Sequence, residues 1–167
     1  MDAVNEAEEN DVITVLSDIK IDRKVTINKN ITIVGMNDAK IEATEDFQNG
    51  VMFTIANENG SVKFKNITID ANSKAVVILA TAGELVLEDA HIREGYSPTY
   101  VAGIYVTGTA TFAMNGGSIR DNTISSETTD QVLARVNPIR YRGYYYDVET
   151  GLFWISSRYY NPEWGRF

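Results

Sequence analysis

The sequence predicts an all-β fold: a short β-solenoid of about four coils, with an N-terminal capping helix and a C-terminal antiparallel β-hairpin. Three observations lead to this prediction. Short β-branched and aliphatic runs, bounded by Asn, Asp, Gly or charged residues, fill most of the 167 residues. Three such runs align without gaps at offsets of 23 and then 27 residues. Near the C-terminus, two aromatic runs lie on either side of a tetrapeptide that ends in glycine, which is typical of a hairpin.

Residues 1–11 predict a helical cap. Asp2 is a favourable N-cap residue, and the acids that follow it lie in the first turns, where the helix dipole stabilises negative charge. We expect a short helix over residues 3–9. It would cover the first end of the solenoid, because a terminal coil has an apolar face without a neighbour. The segment lacks the basic start and the apolar stretch of a secretion signal.

Residues 12–122 predict the solenoid itself. The first strand signals lie at residues 12–16, 19–21, 25–27, 31–33, 51–55 and 62–64. Many short strands fit a sandwich, a barrel or a solenoid, and internal repetition favours the solenoid. We therefore expect each coil to bury its inner face against the coils on either side.

The repeat is clearest in residues 64–69, 87–92 and 114–119, whose first, fourth and sixth residues are apolar apart from Gly117. A loop at residues 96–100 would absorb the difference between the two offsets. Earlier in the chain, residues 30–33 match residues 66–69 at an offset of 36. The predicted inward residues are Val62, Phe64, Ile67, Ile69, Leu85, Leu87, Ala90, Ile92, Phe112, Met114 and Ile119. The predicted outward residues are Lys63, Lys65, Glu88, His91, Arg93 and Arg120.

Three sequence segments in this range resemble repeats of a known kind: DVITVLSDIKID, KVTINKNITIVG and GIYVTGTATFAMNGGSIRDN. They resemble the right-handed parallel β-helix repeats of large bacterial surface and secreted proteins, both adhesin-like and pectate-lyase-like. The resemblance implies a right-handed parallel β-helix over residues 12–122. It also implies two possible activities, which are binding along one flank and the cleavage of polysaccharides by acidic side chains in a groove.

Six residues are candidates for such chemistry: Asp70, Glu88, Asp89, Arg93, Arg120 and Asp121. Asp70, Arg93 and Arg120 share one column at the two offsets, which favours cross-coil ion pairs worth about 0–1 kcal/mol each. No two carboxylates have a defined catalytic spacing. His91 is the single histidine, so one chain cannot build a Ser-His-Asp triad or a two-His metal site. We expect no catalytic residue, no metal site and no cofactor, and therefore a chain that is not an enzyme.

Residues 123–136 are expected to form a linker, because residues 125–130 are polar and have no strand pattern. For residues 130–135 one helical turn and a loose strand both remain open. Residues 137–167 are expected to form the hairpin. Its loop would be residues 148–151, with Gly151 in the left-handed conformation. The aromatic residues of the two arms, which would form cross-strand pairs, are Tyr144, Tyr145 and Tyr146 on one side and Phe153, Trp154, Tyr159 and Tyr160 on the other.

The same C-terminal residues resemble the repeat-associated core of rearrangement-hotspot proteins, the Rhs or YD-repeat proteins. The residues that carry the resemblance are Asn137, Pro138, Arg140, Tyr141, Arg142, Gly143, Tyr146, Asp147, Glu149, Thr150, Gly151, Leu152, Arg158, Tyr159, Tyr160, Pro162, Gly165, Arg166 and Phe167. The resemblance implies a relative of bacterial polymorphic toxins, whose full-length members enclose and deliver a C-terminal toxin in a shell of YD repeats. Such repeats are not in this sequence, and Asn161 stands where relatives usually have an Asp.

Charge and composition limit the classes of partner that we expect this chain to bind. The net charge is −8; residues 137–167 hold four Arg against three acids, so residues 1–136 carry −9. This acidic body argues against nucleic acid, whose binding requires Lys and Arg to neutralise phosphates. The chain has no cysteine and therefore no disulfide, and no run approaches the roughly 20 apolar residues of a membrane helix. The expected partners are a surface glycan, a surface protein or the remainder of a longer chain.

These observations predict a non-catalytic fragment of a bacterial secreted or cell-surface protein that contains an Rhs core. Two alternatives remain open at this point. One is an adhesin-like β-helix module that binds glycans or surface proteins. The other, which is weaker, is a polysaccharide lyase or hydrolase.

Overall fold

A computed structural model describes residues 2–48, 50–99 and 101–125, together with the backbone of residues 139–140, 144–147, 152–155 and 158–160. The chain divides into two compact units, residues 1–125 and residues 126–167. In the part of the chain that the structure describes, no helix combines the length and the apolar character needed to cross a membrane.

In the first unit, the described residues form one short helix and twelve strands. They are α1 (Asp2–Glu6), β1 (Asp11–Val15), β2 (Ile19–Ile21), β3 (Val25–Ile27), β4 (Ile31–Gly35), β5 (Lys40–Ala43), β6 (Val51–Lys65), β7 (Thr68–Asp70), β8 (Val76–Arg93), β9 (Tyr96–Ser97), β10 (Ile104–Val106), β11 (Thr111–Arg120) and β12 (Thr123–Ile124). Every pairing among these strands is parallel.

The strands stack into three parallel faces of a solenoid. The first face contains β1, β4, the second half of β6, the middle of β8 and the first half of β11. The second face contains β2, β5, β7, the end of β8 and the end of β11. The third face contains β3, the start of β6, the start of β8 and β10. The chain visits the faces in this order four times, and β11 and β12 begin a fifth coil, so the predicted parallel β-helix of about four coils is confirmed.

The strand register confirms the offsets of 23 and 27 residues. On the first face Val62 pairs with Leu85 and Leu85 pairs with Phe112. The offset of 36 residues between residues 30–33 and 66–69 is wrong. Ile31 instead pairs with Val62, at an offset of 31, because residues 66–67 form a corner between two faces whereas residue 31 begins a strand.

The interior is built from rows of aliphatic residues, one from each coil. On the second face, Ile41, Ile69 and Ile92 stack directly and are each 0% exposed. The two terminal members of the same row, Ile19 and Ile119, are 36% and 42% exposed. Burying one such side chain contributes roughly 1.5–3 kcal/mol. The coils therefore stabilise one another only where each has a neighbour on both sides.

Aromatic packing closes the middle of the interior. Phe53 on the third face and Phe64 on the first face are both fully buried. Their ring centroids lie 5.2 Å apart with an interplanar angle of 69°, which is an edge-to-face arrangement. This contact ties two faces of the solenoid together across the core.

The corner between the first and second faces uses residues that tolerate a left-handed backbone. Asn66, Asp89 and Gly116 occupy this corner in three successive coils, at φ values of 47°, 48° and 86°. Asn, Asp and Gly adopt this conformation at a lower cost than other residues. Asn66 is therefore a turn asparagine at this corner.

The capping helix is shorter than predicted, since α1 ends at Glu6. Val4 from this helix is 3% exposed and packs into the core. Lys29 donates hydrogen bonds to the carbonyl oxygens of Asn5, at 3.2 Å, and Ala7, at 2.6 Å. A cation at the C-terminal end of a helix stabilises its exposed carbonyl groups. Lys29 thereby holds the cap on the first coil.

The predicted linker begins with a strand. Thr123 and Ile124 form β12, which pairs with β9 (Tyr96–Ser97), inside the predicted loop at residues 96–100. The backbone N–H of Thr123 donates to the carbonyl of Gly95 at 2.8 Å, so the 27-residue offset continues past β11. Sequence reasoning missed this strand pair, because each of its strands is only two residues long.

The described residues of the second unit form four antiparallel strands, β13 (Ile139–Arg140), β14 (Tyr144–Asp147), β15 (Leu152–Ile155) and β16 (Arg158–Tyr160). Asp147 pairs with Leu152, which confirms the antiparallel hairpin. Its predicted loop, residues 148–151, lies outside the described residues. The arms differ from the prediction, because Tyr159 and Tyr160 lie on a separate strand, opposite Trp154 and Phe153 respectively. The conformation expected for Gly151 lies outside the described residues.

Candidate functional site

The second face carries a row of charged residues on its outer side, one from each coil. The row runs through Lys20, Glu42, Asp70, Arg93 and Arg120, which are Cα partners in that order. Lys20 Nζ lies 3.2 Å from Glu42 Oε1. Arg93 Nε and Nη2 both lie 2.9 Å from Asp70 Oδ2. The predicted cross-coil pairing of Asp70 with Arg93 is confirmed.

Lys40 links two members of this row. Its ammonium group contacts Glu42 and lies 3.9 Å from Asp70 Oδ2. Hydrogen bonds from Lys40 and then Lys20 lower the pKa of Glu42 below its usual value, against the opposing effect of burial. Asp70 also accepts a hydrogen bond from the backbone N–H of Asn72 at 2.9 Å. Both carboxylates thus pair with cations of neighbouring strands and serve to join coils.

Glu88 on the first face is neutralised in the same way. Its two carboxylate oxygens contact Lys63 and Lys65, the latter at 3.1 Å. Hydrogen bonds from Lys63 and then Lys65 lower the pKa of Glu88. A general acid requires a carboxyl group whose pKa is raised towards neutrality. The environment of Glu88 shifts its pKa in the opposite direction.

The remaining catalytic candidates are also dispersed. Arg120 contacts its neighbour Asp121 on the partial fifth coil. Asp89 lies at the left-handed corner, and its carboxylate lies against Gly116 of the next coil. Within residues 2–48, 50–99 and 101–125, no three metal-ligating side chains converge on a site that could hold a metal ion. The predicted candidates therefore form separate structural contacts.

A groove of about 450 Å³ opens beside this set of ion pairs, and we call it the corner groove. It follows the corner between the first and second faces across coils two, three and four. The residues that line it are Gly35, Met36, Asn37, Asp38, Asn66, Ile67, Thr68, Asp89 and His91.

The corner groove exists because the second coil turns this corner with extra residues. Val34 pairs with Lys65 and Lys40 pairs with Thr68, so residues 35–39 lie beside only residues 66–67. In the next coil residues 89–90 make the same short turn. The longer corner of the second coil projects as a rim, and the two shorter corners form the adjoining surface.

Backbone geometry fixes the rim. Asn37 and Asp38 are both left-handed, at φ values of 55° and 57°, and the N–H of Ala39 donates to the carbonyl of Met36 at 3.1 Å. Gly35 lies close beneath the third coil: a Cβ there would be 2.4 Å from the carbonyl oxygen of Asn66. Any other residue at position 35 would displace the corner of the third coil.

The side chains of the corner groove are mostly hydrogen-bonding groups. Asn37 and Asn66 offer amides, and Asp38 and Asp89 offer carboxylates. Among the described residues, neither Asp38 nor Asp89 forms an ion pair, in contrast to Glu42, Asp70 and Glu88. Met36 adds an apolar surface that is 47% exposed.

His91 lies at one edge of the corner groove, on the outer side of the second face. Its Nδ1 is 2.9 Å from Ser118 Oγ, and its Cα partners are Thr68 and Ser118. The predicted outward position of His91 is therefore confirmed. With Ser118 occupying Nδ1, the other ring nitrogen is the one available to a ligand.

Sequence reasoning did not find the corner groove. It treated Asp89 and His91 as separate surface residues and did not single out Met36, Asn37 or Asp38. The available signal was the dipeptide Asn37-Asp38 between two strand runs, since both residues favour turns and left-handed conformations. That signal indicates a turn but cannot show which coils it lies beside.

The residues that resemble the Rhs core lie in the second unit. Arg140, Tyr146, Asp147, Leu152, Arg158, Tyr159 and Tyr160 lie on its four strands. The others, which lie outside the described residues, are Asn137, Pro138, Tyr141, Arg142, Gly143, Glu149, Thr150, Gly151, Pro162, Gly165, Arg166 and Phe167.

One stretch of the chain is similar to known bacterial proteins. Over 46 residues it is 46% identical to the tRNA nuclease WapA of Bacillus subtilis strain 168 and to the tRNA3(Ser)-specific nuclease WapA of Bacillus spizizenii. The stretch is 28% of this chain and spans only 2% of the length of each relative. No protein-family model matches the chain, and no solved structure matches it.

Proposed function

We propose that the chain is a non-catalytic fragment of a bacterial secreted or cell-surface protein that contains an Rhs-type core. In this proposal the β-solenoid is a binding module. The observation that carries it is the division of the acidic side chains: Glu42, Asp70 and Glu88 are held in ion pairs between coils, whereas Asp38 and Asp89 of the corner groove form no ion pair among the described residues.

The ion pairs support a structural role for the outer faces. A glycoside hydrolase requires one carboxyl group with a raised pKa and a second carboxylate at a fixed distance across the bond that is cleaved. The pKa values of Glu42 and Glu88 are lowered by lysines, and Asp70 is bound to Arg93. Glu42 and Glu88 are therefore poor proton donors near neutral pH.

The similarity to WapA nucleases supports the bacterial toxin-related setting of the proposal. Those relatives are named as nucleases of tRNA, and we do not extend that activity to this chain. The charge of −9 on residues 1–136 would repel a tRNA backbone. The shared stretch, at 2% of each relative, belongs in our proposal to a part that holds or presents other domains.

The corner groove favours a second candidate, an adhesin-like module that binds a glycan or a surface protein. Carbohydrate sites combine hydrogen-bonding side chains with an apolar contact for the face of the sugar ring. In the corner groove, Asn37, Asn66 and Thr68 supply hydrogen-bonding side chains, and Met36 supplies the apolar contact. The two candidates are compatible, since a delivery protein also needs to contact a surface.

A direct assay separates these proposals from an enzymatic function. The full chain at micromolar concentration would be incubated with bulk tRNA, and separately with pectate. We expect no tRNA fragments and no release of uronic acid above a heat-denatured control, because the acidic groups of the solenoid faces are held in ion pairs. Cleavage of tRNA, or release of uronides that disappears on denaturation, would refute the non-catalytic assignment.

A further inference from the structure

We infer that the corner groove binds an oligosaccharide that carries free amino groups. This inference rests on the proposed glycan-binding role of the solenoid and specifies its ligand class. Its basis is the combination of a groove across three coils, a set of hydrogen-bond acceptors, and two carboxylates without cationic partners among the described residues.

The size of the corner groove suits a short oligosaccharide. Its volume of about 450 Å³ lies within the range of ordinary ligand sites. It extends from Asn37 and Asp38 in the second coil, past Asn66 in the third, to Asp89 in the fourth. Neighbouring parallel strands lie about 4.8 Å apart, so these corners span roughly 10 Å. A ligand with hydroxyl groups repeated along its length can reach all three coils.

The charge of the corner groove selects among glycans. Asp38 and Asp89 contribute two negative charges at opposite ends of the groove. The nearby lysines do not cancel them, because Lys40 is bound to Glu42 and Asp70, and Lys65 is bound to Glu88. An ammonium group on a sugar would find a carboxylate to pair with, whereas a uronic acid would be repelled.

The backbone holds these groups in place before a ligand arrives. The corners of the third and fourth coils are joined by the N–H of Asn66, which donates to the carbonyl of Glu88 at 2.9 Å. The N–H of His91 likewise donates to the carbonyl of Ile67 at 2.8 Å. A preformed site loses little conformational entropy on binding, which favours affinity for a flexible saccharide.

The experiment compares saccharides that differ only at nitrogen. Fully deacetylated chitotetraose and N-acetylated chitotetraose would each be titrated calorimetrically into the full chain at pH 6. We expect one site per chain and binding of the deacetylated form that is at least about tenfold tighter. Tetralysine would serve as a cation without sugar rings, and we expect it to bind at least about tenfold more weakly than deacetylated chitotetraose.

The test variant is the double substitution Asp38→Asn and Asp89→Asn. Asn tolerates the left-handed φ values of 57° and 48° at these positions, so the fold should be unaffected. We expect the preference for the deacetylated saccharide to disappear. The matched control Asp46→Asn removes an exposed acid outside the corner groove and should retain the preference.

Each contrary outcome has a distinct meaning. Equal affinity for the two saccharides, or an unchanged preference in the double variant, would overturn the amino-group inference and leave the glycan-binding role intact. Equal affinity for tetralysine would overturn both, because it would show that positive charge alone carries the binding. A failure to bind either saccharide, together with a failure to bind neutral oligosaccharides on a glycan array, would overturn both the inference and the proposed glycan-binding role.

Discussion

Replacement of Ile92 by Asp will prevent the chain from folding. Ile92 is 0% exposed and lies in the interior row between Ile69 of the third coil and Ile119 of the fifth. A carboxylate there would have no hydrogen-bonding partner. The substitution would also remove the aliphatic contacts that Ile92 makes with both neighbouring coils. The cost is on the order of the whole stability of a small domain, about 5–15 kcal/mol. Circular dichroism should show loss of the β signal at room temperature.

The matched control for this variant is Ile119→Asp. Ile119 occupies the same row, but it is 42% exposed, and among the described residues no strand pairs with β11 on its outer side. The new carboxylate can reach water, so we expect a loss of only about 1–2 kcal/mol in urea unfolding. An Ile92→Asp variant that kept the wild-type melting temperature would show that the interior rows are assigned wrongly.

Replacement of Gly83 by Ala will cost about 2–5 kcal/mol of unfolding free energy. Gly83 has a φ of +76°, which strains any residue with a Cβ. A Cβ there would also lie 2.0 Å from the carbonyl oxygen of Asn57 and 2.7 Å from that of Gly60. Both atoms belong to the backbone of the coil beneath, so neither can rotate away. Urea denaturation monitored by fluorescence would measure the loss.

The variant Gly50→Ala separates the cost of backbone strain from the cost of steric overlap with the neighbouring coil. Gly50 has a similar φ of +66°, but nothing lies within 4 Å of its would-be Cβ. We expect a cost of about 1–2 kcal/mol, from backbone strain alone. If the two alanine variants were equally stable, the close approach of the neighbouring coil at Gly83 would be refuted.

The interior of the later coils could be predicted from the sequence because these coils have nearly constant length. Val62, Leu85 and Phe112 recur at offsets of 23 and 27 residues, and their burial follows from the alternation of a strand. The register of the earlier coils was harder to predict from the sequence. The tetrapeptide Asn-Ile-Thr-Ile occurs at residues 30–33 and again at residues 66–69. The first copy begins a strand, whereas the second copy turns a corner between two faces. Local sequence does not distinguish these roles.

The same limit explains why the corner groove was missed. It results from a difference in length between the corners of adjacent coils, which only the strand register reveals. In the second unit, the hairpin was predictable from its glycine-containing loop. The strand at Arg158–Tyr160 was not separated from the arm before it, because Ser156-Ser157 lacks the Asn-Gly or Asp-Gly signal of a two-residue turn.

A designed disulfide tests the stacking of the coils most directly, because the ion pairs and the corner groove both depend on it. His91, which is exposed, and Ser118, which is half-buried, are outward-facing Cα partners at the 27-residue offset. Strands at about 4.8 Å lie within the separation that a disulfide bridges. The chain has no native cysteine, so His91→Cys with Ser118→Cys introduces a single defined pair. The control pairs His91→Cys with Arg120→Cys, two residues out of register and about 8 Å apart, beyond disulfide reach.

After mild oxidation of dilute protein, thiol titration and mass spectrometry would count the free cysteines in each double variant. Parallel coils in this register predict rapid, intramolecular closure of the pair at positions 91 and 118, with an unchanged circular dichroism spectrum, and free thiols in the control. Free thiols at positions 91 and 118 in a folded chain, or equally fast closure of the control pair, would contradict the stacking of the solenoid.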